Sequence, residues 1–254
     1  MGRITDTVKV LIIINVICFI GTQLNPDLFT RLFALYYYKN PNFQFWQPVT
    51  HMFMHGGFMH ILFNMYALWA FGSPLEMRWG QKKFLFFYFS AGLGAALVHT
   101  IFNYFQFQPG YDALLASGLT DSQIIEMLGN SLQQAYGSST GSFSVSLPES
   151  LPIETYKTTL EAFANHAVGA SGAIYGILVA FGLMFPNIEL MLIFLPVPIK
   201  AKYFIPGLIV IDLFFGLTGS PLGIAHWAHI GGAIFGFIMA YYWKKNSFDS
   251  HRWN

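Results

Sequence analysis

The sequence predicts an all-α polytopic membrane protein, with six transmembrane helices in one bundle and a large extramembrane insertion between the third and the fourth. Of its 254 residues, 54% are hydrophobic and only 10% are charged, whereas about a quarter of a soluble domain is usually charged. The apolar residues also form long runs, and a long polar stretch separates the third run from the fourth. A chain of this length cannot bury so many apolar residues in a single core, so many of them are expected to face lipid.

A helix needs about 20 mostly apolar residues to cross a bilayer. Six stretches meet this requirement, at roughly residues 8–24, 58–75, 83–105, 169–186, 203–218 and 226–243. Glycine and proline interrupt the fourth and the fifth, as membrane helices tolerate. The first run follows basic residues as a signal peptide does, but no small-residue cleavage site comes after it, so a retained span is expected.

The lysines and arginines predict the orientation, because cytoplasmic loops are enriched in them. Most lie at the ends or loops of one side of the predicted bundle: Arg3, Lys9, Arg78, Lys82, Lys83, Lys200, Lys202, Lys244, Lys245 and Arg252. On the other side lie Arg31, Lys39 and Lys157. Both termini are therefore expected in the cytoplasm, and the connections 25–57 and 106–168 are expected to face outward.

The 106–168 connection is too long for an ordinary loop and predicts inserted structure. Thr120 and Gln123 have the spacing of a capping box at the start of a helix, and one apolar stripe follows: Ile124, Ile125, Leu128 and Leu132. The Gly/Ser-rich stretch 137–146 resembles a flexible linker. Because acidic residues outnumber basic ones here, the insertion is interpreted as a solvated acidic cap, or alternatively as a lid that docks substrates.

Polar side chains inside predicted spans are costly and indicate function. His60 and Asn64 are four residues apart, so they share one helical face. Ser171 begins the fourth span and His229 lies one turn inside the sixth. Because these two spans run in the same direction, the serine and the histidine should lie at similar depths on adjacent helices.

Two pairs of small residues predict that these helices pack closely. Gly172 and Gly176 are four apart on the fourth span, and Gly232 and Gly236 repeat this spacing on the sixth. Such pairs let two helix backbones approach each other.

A serine beside a neutral imidazole can become a nucleophile, because the imidazole accepts its proton. The side chains of His60 and Asn64, and the backbone N–H of Ser171, are candidate donors to the oxyanion of an acyl-transfer reaction. Each group also has a structural interpretation: a serine at a helix start caps it, and histidine or asparagine forms hydrogen bonds between helices. Four such groups at compatible depths favour a catalytic site.

The sequence argues against several other classes of protein. The single cysteine, Cys18, excludes disulfides within the chain and sites built on several cysteines. The net charge of +1 gives no basic surface for nucleic acid. A metal or haem protein is the main alternative: its ligands would be His51, His55, His60, His99 and His229. No carboxylate partner for these histidines is evident, so neither a metal nor a cofactor is expected.

These motifs, in this order, resemble those of the rhomboid family of intramembrane serine proteases across the six-span core. Gly169-Ala170-Ser171-Gly172 is similar to the family's GxSG nucleophile motif. The residues His229, Gly232 and Gly236 match HxxGxxxG, and His60 with Asn64 matches HxxxN. The segment 46–55, WQPVTHMFMH, and the pair Glu76-x-Arg78 are also similar to family motifs.

The resemblance implies an endopeptidase that cleaves transmembrane segments of other membrane proteins. Ser171 would be the nucleophile and His229 the base and acid, while His60, Asn64 and the Ser171 amide would stabilise the oxyanion. Tyr175 would pack against the catalytic histidine and His55 would hold the outer loop. Asp212 is expected to pair with a neighbour at a helix end rather than to complete a triad, since the family works as a dyad.

One membrane domain is expected over residues 1–254, with lipid and transmembrane substrates as partners, and the bacterial inner membrane is the expected location. The 106–168 insertion departs from small rhomboids, in which this connection is short. The oligomeric state is left open. A catalytically inactive relative that binds membrane clients is the alternative; such relatives lose the serine or the histidine, and both are in place here.

Overall fold

The computed structural model describes residues 3–138, 140–192, 195–218 and 225–246. This part of the chain is mainly helical. Its α-helices are α1 (Asp6–Leu24), α2 (Pro26–Phe33), α3 (Gln47–Thr50), α4 (Phe58–Ala67), α5 (Ser73–Trp79), α6 (Gln81–Ala116), α7 (Asp121–Gly137), α8 (Ile153–Ala164), α9 (Ser171–Met184), α10 (Ala201–Thr218) and α11 (His226–Asn246).

Two small antiparallel sheets complete the described structure. Strands β1 (Leu35–Tyr36) and β2 (His166–Ala167) pair with each other, as do β3 (Glu189–Leu192) and β4 (Leu195–Lys200). In the first sheet Leu35 lies opposite Ala167. This sheet therefore fixes residues 34–54, called the first long loop below, to the segment that precedes Ser171.

Three helices in the described residues are long and apolar enough to cross a membrane: α1, α6 and α10. Large apolar side chains on two of them point away from the protein. Val10, Ile17 and Ile20 of α1, and Val210 and Leu217 of α10, are each more than half exposed. Lipid is the environment that stabilises such surfaces, and the chain is accordingly an integral membrane protein.

The other predicted spans are also helical but do not meet the same length and hydropathy requirement. Residues 58–79 form one helical path, in which a π-helical stretch, Leu68–Gly72, joins α4 to α5. α9 has 14 residues and α11 has 21. The six-span count thus stays a prediction.

The third predicted span ends later than expected. α6 has 36 residues and continues through Pro109 to Ala116, eleven residues past the predicted end at 105. Tertiary packing explains the extension, because a Cβ on Gly110 would lie 2.2 Å from Thr159 Oγ1 of α8. The hydroxyl of Thr159 also donates to the carbonyl of Phe107, at 3.3 Å.

The rest of the 106–168 segment folds on this extension of α6. The predicted capping box is present, since Thr120 N donates to Gln123 Oε1 at 2.9 Å and Gln123 N donates to Thr120 Oγ1. The stripe on α7 is confirmed too, because Ile124 and Leu128 are fully buried. With α8 and the end of α6, α7 encloses a separate apolar cluster that also takes in Tyr37 of the first long loop.

Polar contacts add to this packing against the first long loop. Lys39 Nζ donates to Asp121 Oδ1 at 2.8 Å and to Tyr111 Oη at 3.0 Å. The hydrogen bond to Asp121 is the main reason that the pKa of Lys39 rises to about 12. Asn40 Nδ2 donates to the carbonyl of Phe163 at 2.8 Å. Asp121 therefore has a partner in the first long loop, whereas the prediction was a cap whose acidic groups are solvated.

α9 lies at the centre of the bundle, in contact with α6, α10, α11 and the π-helical stretch. The predicted glycine pairs form its contact with α11. A Cβ on Gly232 would lie 1.8 Å from the carbonyl oxygen of Gly172, and one on Gly236 would lie 2.4 Å from Cα of Gly176. Only glycine permits backbones this close, so these residues fix the distance between the helices that bear Ser171 and His229.

Glu76 joins the end of α5 to the start of α1. Glu76 is 4% exposed, and its carboxylate accepts from the backbone N–H groups of Thr7 and Val8, each at 3.1 Å, and from the Thr5 hydroxyl. The first N–H groups of a helix have no partner within it, and a negative charge there is favourable. The glutamate of the ExR motif, Glu76, thus caps the start of α1.

We expect Glu76→Gln to destabilise the protein by about 1–3 kcal/mol, because the side chain would lose its charge and one of its two acceptor oxygens. The measurement is the unfolding temperature in detergent. Glu149→Gln changes an exposed carboxylate and is the matched control. Equal unfolding temperatures for the two variants would contradict the capping role.

Candidate active site

Ser171 is held by its flanking segments at the first position of α9. Before it, β2 pairs with β1, and the N–H of Gly169 donates to the carbonyl of His51 at 2.9 Å. Gly169 has φ +126°, a conformation that side chains rarely adopt. Because Ser171 begins the helix, its backbone N–H has no acceptor within the helix and is available to a ligand.

His229 lies beside this serine on α11. Its Nε2 is 2.8 Å from Ser171 Oγ, which is hydrogen-bonding distance. The ring of Tyr175 stacks on the imidazole with centroids 4.3 Å apart and an angle of 10° between the planes, as the family resemblance implied for this tyrosine. The fold thus brings together the two residues that the sequence nominated as nucleophile and base.

The expectation that Asp212 lies at a helix end was wrong, whereas its expected pairing with a neighbour is confirmed. It lies within α10 rather than at a helix end, is 5% exposed, and contacts both helices of the site. Its Oδ1 accepts from His229 Nδ1 at 3.1 Å and from His226 Nδ1 at 2.5 Å, and the hydroxyl of Tyr175 donates to Oδ2. α10 packs against both α9 and α11, and this packing turns Asp212 inward.

The sequence interpretation did not consider His226. A signal was present, because His226 and His229 are three residues apart and therefore share one face of α11. The two imidazoles meet at one carboxylate oxygen of Asp212. Both histidines are thus organised by the same acidic side chain.

His60 approaches Ser171 from α4. A Cβ built on Gly169 would lie 2.9 Å from His60 Nε2 and 3.5 Å from Ser171 Oγ, so the imidazole and the hydroxyl flank the same point. Asn64 lies one turn further along α4 and is buried, 6% exposed. α4 contacts α9, which places both predicted oxyanion donors on a helix adjacent to the serine.

His55 precedes α4 and packs edge-on against His60, with ring centroids 5.0 Å apart. Burial is the main reason that the pKa of His55 falls to about 3, and the neighbouring His60 contributes. His55 is therefore neutral at ordinary pH. Its position between the first long loop and His60 fits the structural role that the resemblance implied.

A small cavity of about 10 Å³ adjoins the serine, with Ser171, Gly169, His51 and Ala228 among its lining residues. This is about the space that one water molecule needs. Because Ser171 lines it, it is a candidate position for a hydrolytic water.

One group of described residues has the donors for a metal ion: Asp212, His226 and His229, whose ligand atoms lie within 4.8 Å of one another. This set is not the one in the metal alternative, which combined His229 with His51, His55, His60 and His99. In the present arrangement the Nδ1 atoms of both histidines are hydrogen-bonded to Asp212 Oδ1. Nε2 of His226 is buried without a hydrogen-bond partner. His229 does have the carboxylate partner that the sequence interpretation missed.

The arrangement is suited to acyl transfer. When Nδ1 of His229 carries the proton that Asp212 accepts, Nε2 has a free lone pair directed at the hydroxyl of Ser171. That lone pair can remove the serine proton as Oγ attacks a carbonyl carbon. The resulting oxyanion could accept hydrogen bonds from the backbone N–H of Ser171, at the start of α9, and from the side chain of His60.

Comparison with known proteins gives a family match over most of the chain. The model of the Rhomboid domain matches residues 42–133 and 124–246. An uncharacterized mitochondrial rhomboid protein of Schizosaccharomyces pombe is 28% identical over 217 residues, which is 80% of this chain and 53% of that protein.

Several relatives are named as proteases. The rhomboid protease AarA of Providencia stuartii is 26% identical over 205 residues, 77% of this chain and 54% of its own length. The rhomboid protease GluP of Bacillus subtilis is 32% identical over 60 residues, 24% of this chain and 12% of its own. The chain thus spans about half the length of the curated relatives that it matches over most of its sequence.

Proposed function

This chain belongs to the rhomboid family, and we propose that it is an intramembrane serine endopeptidase that cleaves transmembrane segments of other membrane proteins. The observation that carries the proposal is the 2.8 Å contact between Ser171 Oγ and His229 Nε2, made by two helices inside an apolar bundle. The relatives named rhomboid proteases support hydrolase activity at the level of the family.

The proposed reaction has two halves. His229 Nε2 takes the proton of Ser171 as Oγ attacks the scissile carbonyl carbon, and the imidazolium then protonates the leaving amine. The Ser171 amide, His60 and Asn64 stabilise the negative oxygen of the tetrahedral intermediate. A water, activated by the same histidine, hydrolyses the acyl-enzyme and restores the serine.

The topology that we propose has six spans, both termini in the cytoplasm and the 106–168 insertion on the outer side as part of a single domain. The concentration of Lys and Arg on one side supports this orientation, and the exposed apolar faces of α1 and α10 support lipid contact. The bacterial inner membrane stays our prediction for the location, although a mitochondrial protein is among the relatives. A transmembrane substrate would reach Ser171 from within the bilayer.

A client-binding protein without activity is the second candidate. This alternative requires a site that lacks the serine or the histidine needed for peptide-bond hydrolysis. Here Ser171 and His229 are both present and lie within hydrogen-bonding distance, which favours the enzyme.

Purified protein in lipid vesicles, incubated with a single-span substrate that has small residues in its membrane segment, tests the proposal. We expect two new fragments whose junction lies within or beside that segment, identified by mass spectrometry. A chelator in the same assay should leave the rate unchanged. An intact substrate after prolonged incubation with folded protein would support the client-binding alternative.

Asn64→Ala is expected to lower turnover by about 10²–10³ without abolishing it, because one of several oxyanion donors is lost. His60 and the Ser171 amide would still stabilise the intermediate. The measurement combines the rate per folded molecule with the unfolding temperature on one preparation. If Asn64 only links helices, the unfolding temperature falls while the rate per folded molecule stays at the wild-type value.

A further inference from the structure

We propose that Asp212 is a positioning residue for His229, so that this chain works as a serine–histidine–aspartate triad with His226 and Tyr175 holding the aspartate in place. The inference rests on the proposed function and adds a residue to that site. It also departs from the dyad that the family resemblance implied.

The geometry places His229 between the two other groups. Its Nε2 is 2.8 Å from Ser171 Oγ, and its Nδ1 is 3.1 Å from Asp212 Oδ1. A carboxylate accepts hydrogen bonds and does not donate them, so Nδ1 must bear the proton. Asp212 therefore selects the tautomer whose Nε2 is free to accept the proton of the serine.

Asp212 is itself held by two further donors. Besides His229, the Nδ1–H of His226 donates to Oδ1, and the hydroxyl of Tyr175 donates to Oδ2. A carboxylate within a membrane helix is costly and is retained where it has partners and a function. Asp212 is 5% exposed, and these three donors hold its carboxylate in a fixed position. Two of the donating residues also contact each other, because the ring of Tyr175 stacks on His229.

The carboxylate matters when charge develops. As Ser171 loses its proton to Nε2, His229 becomes an imidazolium, and the adjacent negative charge stabilises it. Asp212 takes no proton in this step; the Nδ1–H stays on the imidazole throughout. The proton on Nε2 then goes to the leaving amine, so the protonation state of the triad is restored in each half-reaction.

Asp212→Asn is the test, because it keeps the shape of the side chain and removes the charge. An amide can present its NH₂ group to Nδ1 and thereby favour the tautomer in which Nε2 bears the proton. We expect kcat to fall by about 10³–10⁴ with KM unchanged, as a triad aspartate implies. The rate at which a fluorophosphonate modifies Ser171 should fall in parallel, and the unfolding temperature should stay close to that of wild type.

Three comparisons make the result decisive. Asp112→Asn changes an exposed carboxylate of the insertion and should have the wild-type rate. Tyr175→Phe keeps the stacked ring and removes one donor to Asp212, and His226→Gln replaces the other. Each is expected to lower kcat about tenfold with KM unchanged, so the inference is tested even if Asp212→Asn does not fold.

The inference is overturned if Asp212→Asn turns over at the wild-type rate per folded molecule, or if it only lowers the unfolding temperature. Where Asp212→Asn does not fold, wild-type kcat in both Tyr175→Phe and His226→Gln overturns it as well. In either case the proposed function still holds if wild-type protein cleaves the substrate and Ser171→Ala does not. Wild-type protein that neither cleaves nor reacts at Ser171 would refute the proposed function and the triad together.

Discussion

Replacing Ser171 by Ala, or His229 by Ala, is expected to abolish cleavage of a transmembrane substrate while the protein stays folded. The serine supplies the oxygen that attacks the carbonyl, and the histidine removes its proton across the 2.8 Å contact. In a serine protease, loss of either residue alone costs about 10⁶ in kcat. The measurement is the rate of fragment release from a labelled substrate in vesicles, with the unfolding temperature recorded on each preparation.

The double variant, Ser171→Ala with His229→Ala, should be hardly slower than either single variant, because the two residues act as one unit. Glu149→Gln serves as the active control, because Glu149 is exposed and is not part of the proposed site. Substantial turnover in either single variant would contradict the assignment, since no other described serine lies within hydrogen-bonding distance of His229.

Gly232→Ala is expected to disrupt both stability and activity. The new Cβ would lie 1.8 Å from the carbonyl oxygen of Gly172, and neither backbone can rotate aside. Overpacking usually costs about 1–3 kcal/mol, and we expect the upper end of this range or more. Because Gly172 directly follows Ser171, and Gly232 lies one turn beyond His229, the separation forced on α9 and α11 also separates the catalytic pair.

We therefore expect a lower unfolding temperature and a fall in turnover of about 10² per folded molecule, the loss that a displacement of about 1 Å can cause. Gly207→Ala is the matched control, because Gly207 lies in α10 and its added Cβ would meet no side chain and no neighbouring helix within 4 Å. If Gly232→Ala behaves like Gly207→Ala, the close contact of the two helices does not position the site.

Much of the architecture was predictable from local patterns. Runs of apolar residues predicted the helices, and the four-residue spacing of Gly172 and Gly176, repeated at Gly232 and Gly236, predicted which helices touch. The pairing of Ser171 with His229 followed from these two signals together. Each signal depends on residues a few positions apart, which a sequence displays directly.

The features that were missed depend on contacts between distant segments. α6 extends to Ala116 because Gly110 and Phe107 pack against α8, about 50 positions later in the chain. The first long loop is bound to the insertion by Lys39 and Asn40. Asp212 turns inward because α10 packs on two other helices. Its place in the middle of the predicted span 203–218 was a signal, since a polar side chain inside a span indicates function, but the sequence does not show which side chains it meets.

Covalent modification of Ser171 tests the proposed chemistry at the reacting atom. Wild-type protein in detergent is incubated with a fluorophosphonate, which loses fluoride when a nucleophilic serine oxygen attacks its phosphorus, and the modified peptide is identified by mass spectrometry. We predict one adduct per chain, on Ser171, formed in step with the loss of substrate cleavage and absent from His229→Ala. Full cleavage by protein modified at Ser171, or equal modification in His229→Ala, would contradict a Ser171 nucleophile activated by His229.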